Sequence, residues 1–148
     1  MWLLLGALAA QAILVSAIPS PWWVPDLTLV GLVLAVARMP SRWLLFSVVA
    51  GVFTMAWAVR FPNQLFLFYV ALGWGVRALG RQWDATDLRV QVGMVGLAGA
   101  LLSLGALWLD ARSSLSLLGL SMAHVAMTVL AVPCVRRLLE RRAGLRRP

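Results

Sequence analysis

Residues 90–109 read VQVGMVGLAGALLSLGALWL, twenty positions without a charge. That is the length at which an α-helix crosses the hydrocarbon core of a bilayer, which needs ~20 mostly apolar residues. Working outward, five more apolar segments lie between charges and prolines, at 2–18, 22–37, 43–59, 61–76 and 117–135. The pattern predicts an all-α membrane protein, a compact bundle of six transmembrane helices over residues 1–135. A basic cytoplasmic tail follows over 136–148. The second segment is short at a rise of ~1.5 Å per residue, and Pro25 and Asp26 interrupt its start. It is expected to be a short or irregular helix. Whether 22–37 spans fully stays open; five spans plus one re-entrant segment is the alternative.

Composition agrees with this reading. Of 148 residues 62% are hydrophobic and 12% charged, whereas soluble domains run to about 25% charged. So short a chain cannot hide that much apolar surface in one core. A soluble enzyme, a disordered tail and a free nucleic-acid-binding domain are excluded on that ground. The lone Cys134 permits no internal disulfide and no cysteine-based zinc cluster. Residues 15–17, Val-Ser-Ala, resemble a signal-cleavage site, but the positive leader is missing; an uncleaved anchor is expected.

The net charge of +8 comes from thirteen arginines, no lysine and five acids. Cytoplasmic loops of membrane proteins are enriched in Arg and Lys. With six spans, eleven arginines fall on one side and only Arg60 and Arg112 on the other. Both termini are then cytoplasmic, in a multi-pass protein of the inner membrane. Tryptophan, which prefers the headgroup level, fits the same register: Trp2, Trp43, Trp74 and Trp83 fall near inner ends, Trp22, Trp23, Trp57 and Trp108 near outer ends. The tail arginines Arg136, Arg137, Arg141, Arg142, Arg146 and Arg147, with Glu140 spaced to pair Arg136 or Arg137, fit headgroup anchoring on an anionic inner leaflet, at ~1 kcal/mol per cation. No aromatic or glycine motif supports nucleic acid as a partner.

Catalytic and metal motifs are missing from the sequence: no phosphate-cradling glycine loop, no His-Glu-x-x-His, no Gly-x-Ser-x-Gly. No catalytic residue, cofactor or metal site is expected. His124 is the one ionisable group at mid-segment depth, read either as a proton relay or as a neutral imidazole bonded to a neighbouring helix, with Ser121 and Thr128 on the same stripe. Asp84 and Asp87 suit the start of the fifth helix, with Thr86 as a cap. Asp26 reads either as a helix N-cap or as an ion-pair partner of Arg60 or Arg112. Gly93, Gly96, Gly99, Ala100 and Ser103 thin one side of the fifth segment, as Gly6 and Ala10 do the first and Gly119 and Ala123 the sixth. Small residues let membrane helices approach closely, either inside the bundle or against a partner's helix.

Four features together resemble the rod shape-determining MreD family of bacterial inner-membrane proteins: the short length; the proline-rich first turn running into Pro25-Asp26-Leu27-Thr28-Leu29; the third segment with Gly51-Val52-Phe53 after a short basic turn; and the basic tail. Where many members carry an acid after that glycine, this chain reads Thr54-Met55-Ala56, so no role resting on that acid carries over. Pro25 and Asp26 match the family pattern. The resemblance implies a non-enzymatic scaffold or adaptor of the cell-elongation machinery, which binds the bitopic scaffold MreC. It would help couple MreB filaments to peptidoglycan synthesis, in company with other elongation-complex membrane proteins. It also implies the fold of the substrate-binding components of energy-coupling-factor transporters, which raises the alternative of a vitamin-like small-molecule binding subunit.

Overall fold

The computed structural model describes residues 2–18, 24–58, 61–109 and 115–142. Among these residues the chain is all-α, with six helices and no strand: α1 (Trp2–Ala17), α2 (Leu27–Arg38), α3 (Trp43–Trp57), α4 (Pro62–Leu79), α5 (Leu88–Leu109) and α6 (Leu115–Arg142), with a 3-10 turn at Pro40–Arg42 between α2 and α3. Stretches of α5 (Leu88–Gly105) and α6 (Leu117–Leu138) are long and apolar enough to cross a membrane.

Helix α2 is the axis of the bundle. It touches all five other helices, and every residue from Thr28 to Val36 is buried. Its composition, LTLVGLVLAVAR, permits this, since a helix that is apolar all round can be enclosed on all sides. It is short but regular, about 18 Å long at ~1.5 Å per residue. It begins at Leu27, not 22, because Pro25 has no N–H to give and the Asp26 side chain caps the helix.

Close approaches fix the neighbours. An added Cβ on Gly31 would lie 2.6 Å from the Ala7 Cβ, which brings α1 against α2. On Gly73 it would overlap the Ser47 hydroxyl, and on Gly51 it would lie 2.8 Å from the Phe66 ring, so α3 and α4 meet along two small residues. In α5, Gly96 and Gly99 face Val129 and Val125 of α6. Phe61, at the N-cap of α4, takes a left-handed conformation with φ 54°, a backbone that a non-glycine residue adopts only under strain.

Helix α6 does not stop at 135. It continues through Pro133 to Arg142, so the first two arginine pairs of the expected tail are helical. Pro133 offers no N–H to the Val129 carbonyl.

Successive helices run in opposite directions, so Arg38, Arg42, Arg77, Arg81, Arg89, Arg136 and Arg137 collect at one end of the bundle, on helix termini or in the 81–87 connection. Contacts bind this end together. The Arg77 guanidinium lies 5.7 Å from the centre of the Trp43 ring, and Arg136 donates to the Thr86 carbonyl at 2.9 Å. Trp2, Trp74 and Trp83 are exposed at the same end.

Candidate functional site

The most connected polar residue lies at the opposite end, where α2 begins. Asp26 has φ −75° and ψ 85°, close to the inverse γ-turn, and the Leu27 N–H folds back to the Pro25 carbonyl at 2.9 Å. A helix start leaves N–H groups without intrahelical acceptors, and here side chains supply them. Asp26 Oδ1 accepts from the Leu29 N–H at 2.9 Å. Gln11 Oε1 on α1 accepts from the Leu27 N–H at 2.7 Å. Thr128 Oγ1 on α6 accepts from the Asp26 N–H at 2.9 Å, while its own proton goes to the His124 carbonyl at 2.9 Å. The second carboxylate oxygen, Oδ2, accepts from the Tyr69 hydroxyl on α4 at 2.8 Å. One turn of chain thus ties α1, α2, α4 and α6 together.

Beside this knot lies a cavity of about 280 Å³. Its polar lining is Gln11, Asp26, Thr28, Thr54, Tyr69 and His124, and its walls include Phe53, Leu65 and Leu102. Two of its polar groups are unspent: Thr28 Oγ1 and His124 Nδ1 are buried without a hydrogen-bond partner. The Thr28 case has a geometric cause. Ser47, Thr54 and Thr128 each return their hydroxyl proton to the carbonyl four residues back. Thr28 is the second residue of α2 and has no helical turn behind it. An unpaired buried hydroxyl costs about 1–3 kcal/mol. The expected imidazole bond to a neighbouring helix is not made through Nδ1.

Neither a protein family, nor a curated protein, nor a solved structure matches this chain. Function must therefore be read from the chain's own residues.

Of the two readings of Asp26, the structure builds the N-cap. Arg60 and Arg112, the alternative partners, lie outside the described residues, as do Trp22, Trp23, Arg146 and Arg147. The side chains of Trp57, Trp108, Glu140, Arg141 and Arg142 also fall outside the description. Pro25 sits beside the knot and leads the chain into it.

The small-residue face of α5 divides. Gly96 and Gly99 turn toward Val129 and Val125 of α6, Gly99 buried and Gly96 half-buried. Gly93 is exposed with open space around it; Ala100 and Ser103 are half-buried. Gly6 and Gly119 also face open space, and in α1 the close contact is made one residue on, by Ala7. The start of α5 is capped by Asp87, whose Oδ1 accepts from the Arg89 N–H at 2.9 Å. Thr86, expected as the cap, instead donates its N–H at 2.9 Å and its hydroxyl at 2.6 Å to Asp84. These bonds, the hydroxyl's first, hold the Asp84 carboxyl below its ordinary range, with Arg136 adding to the effect. Among the described residues no cluster of His, Cys, Asp and Glu could hold a metal.

Sequence reasoning missed Tyr69, Gly73 and Gly31. Tyr69 carried a usable signal, being the single tyrosine of the chain in an apolar segment, where a buried hydroxyl demands a partner. For the two glycines no local signal exists, because only the partner helix makes them necessary.

Proposed function

We propose that this chain is a non-enzymatic, six-span scaffold of the bacterial inner membrane that serves the cell-elongation machinery by binding an MreC-type bitopic protein. The observation that carries the reading is a coincidence of two features. The stretch of closest resemblance to the MreD family, Pro25-Asp26-Leu27-Thr28-Leu29, is also the stretch that ties four helices of the bundle together.

The physics of the bundle supports a membrane setting. Large apolar side chains such as Leu97, Leu101, Leu104 and Leu130 are exposed on its outside, where lipid would cover them. Irregular backbone at membrane depth is tolerated where protein encloses it and its polar groups are paired, as at Pro25 and Asp26. The 12-residue α2 is shorter than a lone span, yet ringed by the other helices it need not match the lipid thickness. The arginine-rich end faces the cytoplasm in this reading, together with both termini, and anionic headgroups meet its cations.

With Gly96 and Gly99 turned toward α6, the partner's helix would lie along the open face of α5 formed by Gly93, Leu97, Leu101 and Leu104. Co-purification from a mild-detergent extract tests the reading: an MreC-type protein should accompany the wild-type chain, and Gly93→Trp should reduce its recovery while leaving insertion intact. Absence of any such protein from the wild-type extract would overturn the scaffold role.

A further inference from the structure

The cavity beside Asp26 has a use that scaffolding does not require. The geometry points to a binding site for a small primary ammonium compound with an apolar body, held by Asp26, Thr28 and His124. The inference does not depend on which protein packs against the outside of the bundle.

Three observations converge on it. First, size: about 280 Å³ lies at the small end of ligand pockets, which span ~300–1,000 Å³, and is far more than one water needs. Second, unspent polar atoms: Thr28 is 1% exposed and its Oγ1 has no partner; His124 is half-buried, but its Nδ1 atom is buried and likewise has no partner, and both residues line the cavity. Buried polar groups in native structures are otherwise nearly always paired. Third, charge: among the described residues Asp26 is the one charged residue in the lining. Among the described residues its oxygens accept only from the neutral Leu29 N–H and Tyr69 hydroxyl, so lone pairs remain for a further donor.

An ammonium group brings three donors and a positive charge. It would give one N–H to the Asp26 carboxylate, one to Thr28 Oγ1 and one to His124 Nδ1, the imidazole then carrying its proton on Nε2. An anion would meet the carboxylate with no cation among the described lining residues to offset it. Phe53, Leu65 and Leu102 line the same cavity and would hold the apolar body.

The test uses three probes of nearly equal shape: benzylammonium, benzyl alcohol and benzoate, titrated into the full-length purified chain in detergent, with melting temperature and equilibrium binding as readouts. Benzylammonium should raise the melting temperature and bind more tightly than the other two. Asp26→Asn should weaken it by about 10- to 100-fold, the loss of a charge-assisted bond. Thr28→Val should weaken it by about 3- to 10-fold, yet raise the melting temperature of the empty protein by about 3 °C, because it removes an unpaired hydroxyl. These opposite signs separate a ligand-binding role from a structural one, and the Thr28→Val arm stands even if Asp26→Asn fails to fold. No binding by any probe, which would mean a cavity filled by water only, overturns the proposal. So does equal binding of the alcohol or the benzoate, or Thr28→Val binding as tightly as wild type.

Discussion

Replacing Gly73 by alanine tests how α3 and α4 are held together. The new Cβ would overlap the Ser47 Oγ and lie 3.1 Å from its Cβ and 3.6 Å from the Trp43 carbonyl oxygen. Ser47 cannot simply turn away. It is 0% exposed, and its hydroxyl donates to the Trp43 carbonyl at 2.8 Å. Rotation forfeits a bond of about 0.5–1.5 kcal/mol, and forcing the helices apart adds the usual overpacking cost of about 1–3 kcal/mol. Against this stands the helix-propensity gain of alanine over glycine, about 1 kcal/mol. The net expectation is a loss of about 0.5–3.5 kcal/mol, once that gain is set against both costs. Gly75, two residues along the same helix, supplies the control, since a Cβ there meets nothing within 4 Å; Gly75→Ala should be neutral or stabilise by up to about 1 kcal/mol. Adding Ser47→Gly to Gly73→Ala removes the obstructing side chain and should recover most of the loss, giving a coupling of about 1–3 kcal/mol in a double-mutant cycle. Reversible unfolding in mixed detergent micelles measures all four variants. If Gly73→Ala is as stable as Gly75→Ala, the close approach of α3 and α4 at this point is wrong.

Removing the hydroxyl in Tyr69→Phe should destabilise by about 1.5–3 kcal/mol, the range for a bond to a charged group. Combined with Asp26→Ala it should be less than additive, and full additivity in the same unfolding assay would deny the 2.8 Å contact. At the basic end, the Thr86 bonds hold the Asp84 carboxyl below the ordinary aspartate range. A depressed group contributes stability above its unfolded pKa and loses it as the pH falls through the folded one. The Thr86 amide resonance should therefore titrate with a midpoint below the ordinary aspartate value, and a midpoint at or above that value would refute the bonding. For topology, with Cys134 replaced by alanine, Asn63→Cys should react with a membrane-impermeant thiol reagent on intact cells while Arg81→Cys stays protected. Both positions are exposed and at opposite ends of α4; the reverse labelling pattern would invert the orientation.

Much of the fold was legible because it is local. The six helices follow from apolar runs between charges and prolines, and their ends from residues acting on their immediate neighbours. Asp26 reaches Leu29 and Asp87 reaches Arg89, contacts that span two or three positions and can be read as capping patterns. The arginine asymmetry is likewise linear, a matter of counting along the chain. Even so, α6 ran past its expected end, because Arg and Leu are good helix formers and the sequence there has no stop before 142.

Everything that makes a site came from tertiary structure. Asp26 meets Tyr69 across 43 positions and Thr128 across 102, separations over which no periodicity carries information. Gly73 matters because Ser47 happens to face it, whereas Gly93, in an equally small-residue stretch, faces open space. The sequence by itself determined that six apolar helices form and that their cations gather at one end, since helix formation and charge placement depend on each residue and its near neighbours. Only the packing decided that the shortest helix lies at the centre, and that Thr28 and His124 end beside a cavity with nothing to bond, because burial and pairing depend on which distant surfaces meet.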